Sequence, residues 1–186
     1  VMLFDQFGLV SGLGERLSYG IRLMKNVREG IRFENVTARN IAKQMAHKFF
    51  GKTTIIYGAP DYRLAVAARW KSQINAYAKS PAFTSSFPDA AESDISGWEL
   101  ASEKRGDFAL VFLQDSVDRG EVAAMMGASR EVLEGFDTVE LEMKGGSTME
   151  KLLYGVYLAD YVSYYMALLG EVNPAVTQYV AQVEST

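Results

Sequence analysis

Residues 55–60, IIYGAP, decide the fold of this chain. A β-branched run that ends at a glycine turn and leads into an amphipathic segment predicts a strand followed by a helix. A second apolar run begins at Pro81, after that helix. The stretch therefore predicts one βα unit and the start of the next.

Runs of apolar or β-branched residues recur along the chain, with helical patterns between them. They cover residues 53–57, 81–87, 108–113 and 138–143, and the segment 117–133 is typical of a crossover helix. The run 108–113, FALVFL, is apolar on both faces, as a central strand of a parallel sheet is when helices cover both sides. The pattern predicts an α/β fold, a three-layer αβα sandwich with a mostly parallel sheet.

The chain divides into a helical lead-in at residues 1–36 and a single domain at residues 37–186. Gly12 and Gly14 lack the preceding strand and third glycine of a nucleotide-binding fingerprint, so a glycine-rich helical lead-in is favoured. Asn35 or Thr37 is expected to cap the next helix. A first residue Val1 suggests a piece excised from a longer protein.

Composition excludes several classes of function. The net charge is -4, from 19 basic and 23 acidic residues, so neither nucleic acid nor an anionic membrane is an expected partner. The chain has no cysteine and one histidine, His47, which excludes a thiol nucleophile and a thiolate or His-rich metal site. We predict no metal and no cofactor, and the lack of cysteine fits a cytoplasmic location.

The apolar segment 152–169 is long enough to cross a membrane. Asp160 lies at its middle, and five tyrosines interrupt its hydrophobicity. These features predict a buried core helix, and residues 154–169 are a candidate surface for pairing two subunits.

Several motifs follow one another in the order and spacing of a known family. They are Trp70-Lys71-x-Gln73, Ala78-Lys79-x-Pro81-Ala82, Phe87-Pro88, Gly97-Trp98, the strand end Phe112-Leu113-Gln114-Asp115, and the closing stretch at 160–174, DYVSYYMALLGEVNP. The chain resembles the carboxyl-terminal sugar isomerase (SIS) domain of bifunctional phosphoglucose/phosphomannose isomerases.

The resemblance implies exchange between fructose 6-phosphate and glucose 6-phosphate or mannose 6-phosphate. Family members hold two SIS domains, and the amino-terminal one supplies a Ser- and Thr-rich loop for the sugar phosphate. Their catalytic glutamate lies in an Asn-Glu-Asn-Ala-Lys run, and the matching position here is Ala76. Their histidine lies in an Asn-His-Asn-Glu run, and the matching position is Glu92. Both expected acid/base groups are replaced.

Glu92 and Asp94 are candidate substitute bases, on a loop expected to enter the same pocket. The alternative is that they are solvated loop charges or caps for the helix toward Trp98. Losing one positioned acid/base group commonly lowers the rate on the order of a hundred- to ten-thousand-fold.

Polar residues that match the family are the candidate ligand-binding groups. Lys71, Asn75 and Lys79 repeat at spacing four and are expected to form one stripe along a helix, which is equally typical of an exposed surface. The set of candidate ligand-binding residues is Lys71, Gln73, Asn75, Lys79, Ser85 and Ser86.

Ser85 and Ser86 stand near a strand end, where hydroxyls hold phosphates but more often belong to a turn. Trp70 and Ile74 are predicted core residues, and Trp98 is either core or sugar-stacking.

Two hypotheses of function follow. The first is a sugar-phosphate isomerase domain with a substitute base. The second is a non-catalytic domain that binds a phosphorylated sugar and regulates or scaffolds a partner. The expected assembly is a homodimer or a pairing with a second SIS domain.

Overall fold

The sheet has four strands, and all of its strand pairs are parallel. The computed structural model describes residues 2–9 and 11–184. The strands are β1 (Thr53–Gly58), β2 (Ala82–Ser86), β3 (Phe108–Gln114) and β4 (Asp137–Glu142), in the order β2-β1-β3-β4. The predicted parallel α/β fold is confirmed, and each predicted strand lies within a residue of its observed bounds.

Helices cover both faces of the sheet. They are α1 (Met2–Gln6), α2 (Leu13–Ile31), α3 (Ile41–Phe49), α4 (Tyr62–Gln73), α5 (Asp89–Ala101), α6 (Gly120–Val132), α7 (Thr148–Leu169) and α8 (Gln178–Glu184). One core cluster joins the sheet to α2, α3, α4 and α7, and a second joins its other face to α5 and α6. Helices α4 and α5 therefore lie on opposite faces.

Alternation along the central strands explains the two clusters. Ile56 and Val111 belong to the first cluster, whereas Tyr57, Leu110 and Phe112 belong to the second. Successive side chains of a strand point to opposite faces, so a strand buried on both sides reads as a continuous apolar run. The predicted central position of residues 108–113 is correct.

Helix α7 is the centre of the larger cluster. It packs against α2, α3 and α4, and Leu158, Val162 and Ala167 are fully buried. It is the one helix in the described ranges that is long and apolar enough to cross a membrane, and half of its apolar window is buried inside the domain. The prediction of a core helix is confirmed.

Helix α7 leaves little exposed surface for the expected pairing of subunits. Its apolar faces are covered by helices of the same chain, and Tyr164 and Leu168 remain exposed at 45% and 44%. Subunit pairing stays a prediction, and the buried faces of this helix do not take part in it.

The cap of α3 differs from the expected one. Asn40, not Asn35 or Thr37, accepts the hydrogen bond from the backbone of Lys43, at 3.1 Å. A short 3₁₀ turn at Thr37–Arg39 separates the two predicted caps from the helix. Asn40 is fully buried and also donates to the carbonyl of Arg32, which ties the lead-in to α3.

Gly155 allows α7 to approach α4 closely. A Cβ atom at Gly155 would lie 2.6 Å from Cγ1 of Val66 and 3.1 Å from Sδ of Met143. The backbone carbonyl of Gly155 also accepts a hydrogen bond from the indole of Trp70, at 2.8 Å. Replacing Gly155 must therefore disturb buried packing.

We predict that Gly155→Ala lowers the free energy of unfolding by about 1–3 kcal/mol, because overpacking forces rigid neighbours apart. Urea denaturation measures the change. The matched control is Gly97→Ala within α5, where no atom lies within 4 Å of the added Cβ. It should be neutral or stabilising by up to about 1 kcal/mol through helix propensity. Equal losses in both variants would contradict the close-approach explanation.

Candidate functional site

An ion-pair network fills the crevice at the carboxyl ends of β1 and β3. The chain connections diverge from this point of the sheet, and open α/β sheets commonly bind ligands there. Arg63 is 2% exposed and donates to Asp61 at 2.8 Å, to Asp118 at 2.7 Å and to the carbonyl of Leu113 at 3.2 Å. Burial alone would lower the pKa of Arg63, but the two carboxylates raise it above its usual range.

A second group of charges closes the same crevice beside the first. Asp115, at the end of β3, accepts hydrogen bonds from Tyr62 and Lys151, each at 2.5 Å. Burial raises the pKa of Asp115, but the bonds from Lys151 and Tyr62 outweigh it and hold that pKa below the usual value. These contacts join β3, α4 and α7, so the protein's own side chains occupy the usual ligand position.

The sign of the pKa shift fixes how this pair responds to pH. Because the folded-state pKa of Asp115 is lowered, its stabilisation is present above the unfolded pKa and is lost as pH falls through the folded one. Lys151→Met leaves a carboxylate that is 3% exposed without its cation. We predict a loss of about 3–5 kcal/mol in the free energy of unfolding at neutral pH.

The loss should shrink as pH falls from the unfolded pKa of Asp115, about 4, through its lowered folded pKa, because a protonated carboxyl no longer requires a cation. Denaturant titrations across pH measure it. Lys25→Met, an exposed change of the same charge on α2, should stay within about 0.5 kcal/mol. A pH-independent loss in Lys151→Met would contradict the assignment.

The end of α4 departs from the predicted stripe. The α-helix ends at Gln73 and continues as a π-helical turn, Ile74–Ala78, which we call the π turn. Lys79 follows it in the left-handed region, with φ 53°, and its ammonium donates to the carbonyl of Ala76. The expected regular spacing of Lys71, Asn75 and Lys79 on one α-helix is therefore wrong.

Asn75 fastens the π turn to the start of β2. Its side-chain oxygen accepts from the backbone of Ala82 at 2.8 Å, and its nitrogen donates to the carbonyl of Ala82 at 3.4 Å. This contact places Ala76 at the amino ends of the strands, whereas the crevice that Arg63 fills lies at their carboxyl ends.

A cleft of about 720 Å³ lies beside Ala76, between the π turn and the closing segment at residues 172–180. We call it the tail cleft. Its polar lining groups come from both sides, and the rest of the wall is apolar. The lining residues are Asn75, Ala76, Lys79, Ser80, Pro81, Val172, Asn173, Val176, Thr177, Gln178, Tyr179 and Val180. None of these described lining residues carries a carboxylate or an imidazole.

The predicted ligand-binding residues do not converge on one place. Asn75 and Lys79 line the tail cleft. Lys71 is exposed on α4 outside it, and Gln73 is 4% exposed and donates to Asp160 of α7. The remaining two, Ser85 and Ser86, lie at the carboxyl end of β2, away from the tail cleft. There the hydroxyl of Ser86 donates to the carbonyl of Phe87.

Glu92 and Asp94 lie on α5 and not on the expected loop. Glu92 is exposed, whereas Asp94 is half-buried beside the hydroxyl of Tyr57. Burial raises the pKa of Tyr57, and the nearby Asp94 adds to the increase. The helix α5 covers the face opposite α4, and neither carboxylate is among the lining residues of the tail cleft.

The open alternative for Trp98 is resolved in favour of a core residue. Its indole donates to the hydroxyl of Tyr57 at 2.9 Å, and its ring packs edge-on against Phe108 and Phe136. Trp70 and Ile74 are fully buried, as predicted.

Sequence reasoning missed the contribution of the closing segment. Asn173, Thr177, Gln178 and Tyr179 form one wall of the tail cleft. The Asn173-Pro174 break signalled that the chain turns after α7, but not that it returns to the π turn. No group of histidine, aspartate and glutamate residues in the described part of the chain has metal-site geometry.

A parallel four-stranded sheet with helices on both faces is the architecture of SIS-type α/β domains. Residues 38–185 match the model of the bacterial phosphoglucose isomerase carboxyl-terminal SIS domain. The chain belongs to this family, as its motifs predicted.

Two of the curated sequence relatives are named bifunctional phosphoglucose/phosphomannose isomerases. The chain is 30% identical over 176 residues to a bifunctional phosphoglucose/phosphomannose isomerase of Caldicellulosiruptor bescii, covering 94% of this chain and 52% of the relative. A second, of Aquifex aeolicus, is 27% identical, covering 87% and 50%. The chain thus spans about half the length of these curated relatives. A D-glucosamine-6-phosphate 4-epimerase of Sulfolobus acidocaldarius is 33% identical over 92 residues, which cover 48% of this chain and 28% of the epimerase.

Solved structures support the same fold. A glucose-6-phosphate isomerase like protein from Thermus thermophilus has a TM-score of 0.71 and 25% identity, over 88% of this chain and 55% of that one. A putative sugar-phosphate isomerase from Listeria monocytogenes has a TM-score of 0.63 over 92% and 93%, and at 11% identity it shows the fold alone.

Proposed function

We propose that this chain is a phosphorylated-sugar-binding SIS domain of the phosphoglucose/phosphomannose isomerase type, and that its tail cleft binds the sugar without transferring the proton. The observation that carries the proposal is the lining of that cleft. It holds polar groups and a cation, but its described residues include no carboxylate or imidazole.

Aldose–ketose exchange requires a base that moves a proton between C1 and C2 of the sugar. A carboxylate or imidazole does this when it lies within hydrogen-bond reach of that proton. At the family's base position, Ala76 offers only a methyl group to the tail cleft. The residue at the family's base position therefore has no group here that can accept a proton.

The groups that remain suit binding. The ammonium of Lys79 has three donors, so it can contact a phosphate while it keeps its bond to the carbonyl of Ala76. Amide and hydroxyl groups of Asn173, Thr177 and Gln178 face the same space and are suited to sugar hydroxyls. A cleft of about 720 Å³ is within the usual size of a small-ligand site.

The second candidate is an isomerase in which Glu92 or Asp94 replaces the missing base. It is favoured by the exposure of Glu92, which has no hydrogen-bond or ion-pair partner in the described part of the chain. Because neither carboxylate lines the tail cleft of its own chain, this reaction needs α5 of one domain against the cleft of another. A homodimer or a second SIS domain in the cytoplasm would provide that arrangement.

The relatives are named for more than one reaction, so the reaction of this chain is a proposal. The relatives that match 94% and 87% of the chain are named bifunctional phosphoglucose/phosphomannose isomerases, whereas one that matches 48% of the chain is named a 4-epimerase. The phosphorylated hexose is common to these names, and we therefore propose the ligand class before the reaction.

Proton NMR of fructose 6-phosphate in D₂O tests whether the protein transfers the proton. We predict saturable line broadening with no deuterium entering C1 and no new aldose signals. Entry of deuterium that disappears in Glu92→Ala or Asp94→Ala would replace the proposal with the isomerase candidate. Exchange that persists in both variants would contradict both candidates.

A matched pair of lysines tests the location of the ligand. We predict that Lys79→Met weakens binding of glucose 6-phosphate by about tenfold or more, because a charge-assisted contact to phosphate is lost. Lys71→Met removes the same charge from an exposed position outside the cleft and should change affinity by less than about threefold. Calorimetric titration measures both. A larger effect at Lys71 would place the ligand elsewhere.

A further inference from the structure

A second cleft lies on the other side of the π turn. It encloses about 900 Å³ between the carboxyl end of α2 and the outer face of α7. We call it the tyrosine cleft. Its aromatic and charged lining residues are Arg28, Arg32, Tyr77, Tyr161, Tyr164 and Tyr165, together with the carboxylates of Glu34 and Asp160.

Aromatic rings form a continuous wall along α7. The ring centroids of Tyr161 and Tyr165 are 6.0 Å apart, and those of Tyr164 and Tyr165 are also 6.0 Å apart. Tyr164 is 45% exposed, and Tyr77 contributes a further ring from the π turn. Tyrosine faces of this kind are platforms on which a flat ring stacks.

Two guanidinium groups lie in the same cleft. Arg28 and Arg32 are four residues apart in the last turn of α2 and beyond it, so their side chains share one side of the helix. Their partners are Glu29, at 3.7 Å from Arg28 and 3.2 Å from Arg32, and Glu34, at 3.8 Å from Arg32. All these side chains are at least half exposed, and such ion pairs are weak. Both cations can therefore turn to a phosphate.

The aromatic surface is the feature that selects the ligand. Asp160 accepts hydrogen bonds from Gln73 and Arg69, both at Oδ1, and the hydroxyl of Tyr165 donates to the carbonyl of Ile31 at 2.6 Å. Four tyrosines line the cleft, and a ligand with a flat aromatic ring and a phosphate uses their faces, whereas a sugar phosphate has no flat ring to stack on them.

We propose that the tyrosine cleft binds a nucleoside phosphate, with its base against Tyr164 and its phosphates on Arg28 and Arg32. The volume of about 900 Å³ accommodates a ligand of that size. The site is separate from the tail cleft, and the proposal does not depend on the function proposed above.

Calorimetric titration of the chain with adenosine diphosphate, glucose 6-phosphate and inorganic phosphate tests the ligand class. The expected result is saturable binding of adenosine diphosphate, at least about tenfold tighter than that of inorganic phosphate. Because the tail cleft is proposed to bind glucose 6-phosphate, this sugar is titrated into Lys79→Met, and binding there that is tighter than that of the nucleotide would overturn the nucleotide assignment. Equal affinity for inorganic phosphate would reduce the site to an anion site, and no saturable binding of the nucleotide would remove it.

Variants test the two halves of the site separately. Arg28→Met combined with Arg32→Met should weaken nucleotide binding by about tenfold or more, whereas Lys25→Met on the same helix should stay within about twofold. Tyr164→Ala should weaken the nucleotide about fivefold to a hundredfold and leave inorganic phosphate unchanged.

Unfolding midpoints establish that each variant is folded, and an unaffected nucleotide affinity in a folded variant would contradict its assigned contact. Lys79→Met should leave nucleotide binding intact. This last result separates failure at the tail cleft from failure at the tyrosine cleft.

Discussion

The Arg63 ion-pair network is the constraint that closes the usual ligand crevice of this sheet. It joins the loop after β1 to the loop after β3 and fills the crevice between them with a guanidinium that is 2% exposed. A parallel sheet usually offers that crevice to a ligand. Paired charges fill it here, and the tail cleft and the tyrosine cleft lie instead around the carboxyl end of α4.

The π turn organises those cavities. One wide turn at Ile74–Ala78 presents Ala76 to the tail cleft and Tyr77 to the tyrosine cleft. The turn is held by Asn75, whose side chain bonds to both backbone groups of Ala82. A residue expected to contact a ligand is thus engaged in positioning the backbone, and its loss would disturb both clefts together.

The fold was predictable because its signals are local and repeated. The strand at 108–113 is apolar at every position, and a strand with that pattern fits only between two layers of helices. The site was only partly predictable. Regular helical spacing predicted that Lys71, Asn75 and Lys79 share one side of a helix. The π turn changes the helical register after Gln73, and no feature of the residue pattern predicted this turn. The wall at 172–180 was missed because its approach to the π turn is a tertiary contact between distant segments.

The position of α5 limits what one copy of this domain can do. Its carboxylates at Glu92 and Asp94 lie on the helix that covers the face opposite α4, whereas the tail cleft lies beside the π turn that continues α4. General acid/base catalysis requires hydrogen-bond distance from the group to the proton that it moves. Any chemistry that combines α5 with the cleft beside Ala76 must therefore join two domains. A chain that spans about half the length of its curated relatives retains the architecture of a SIS domain, while proton transfer by these carboxylates would be a property of the assembly.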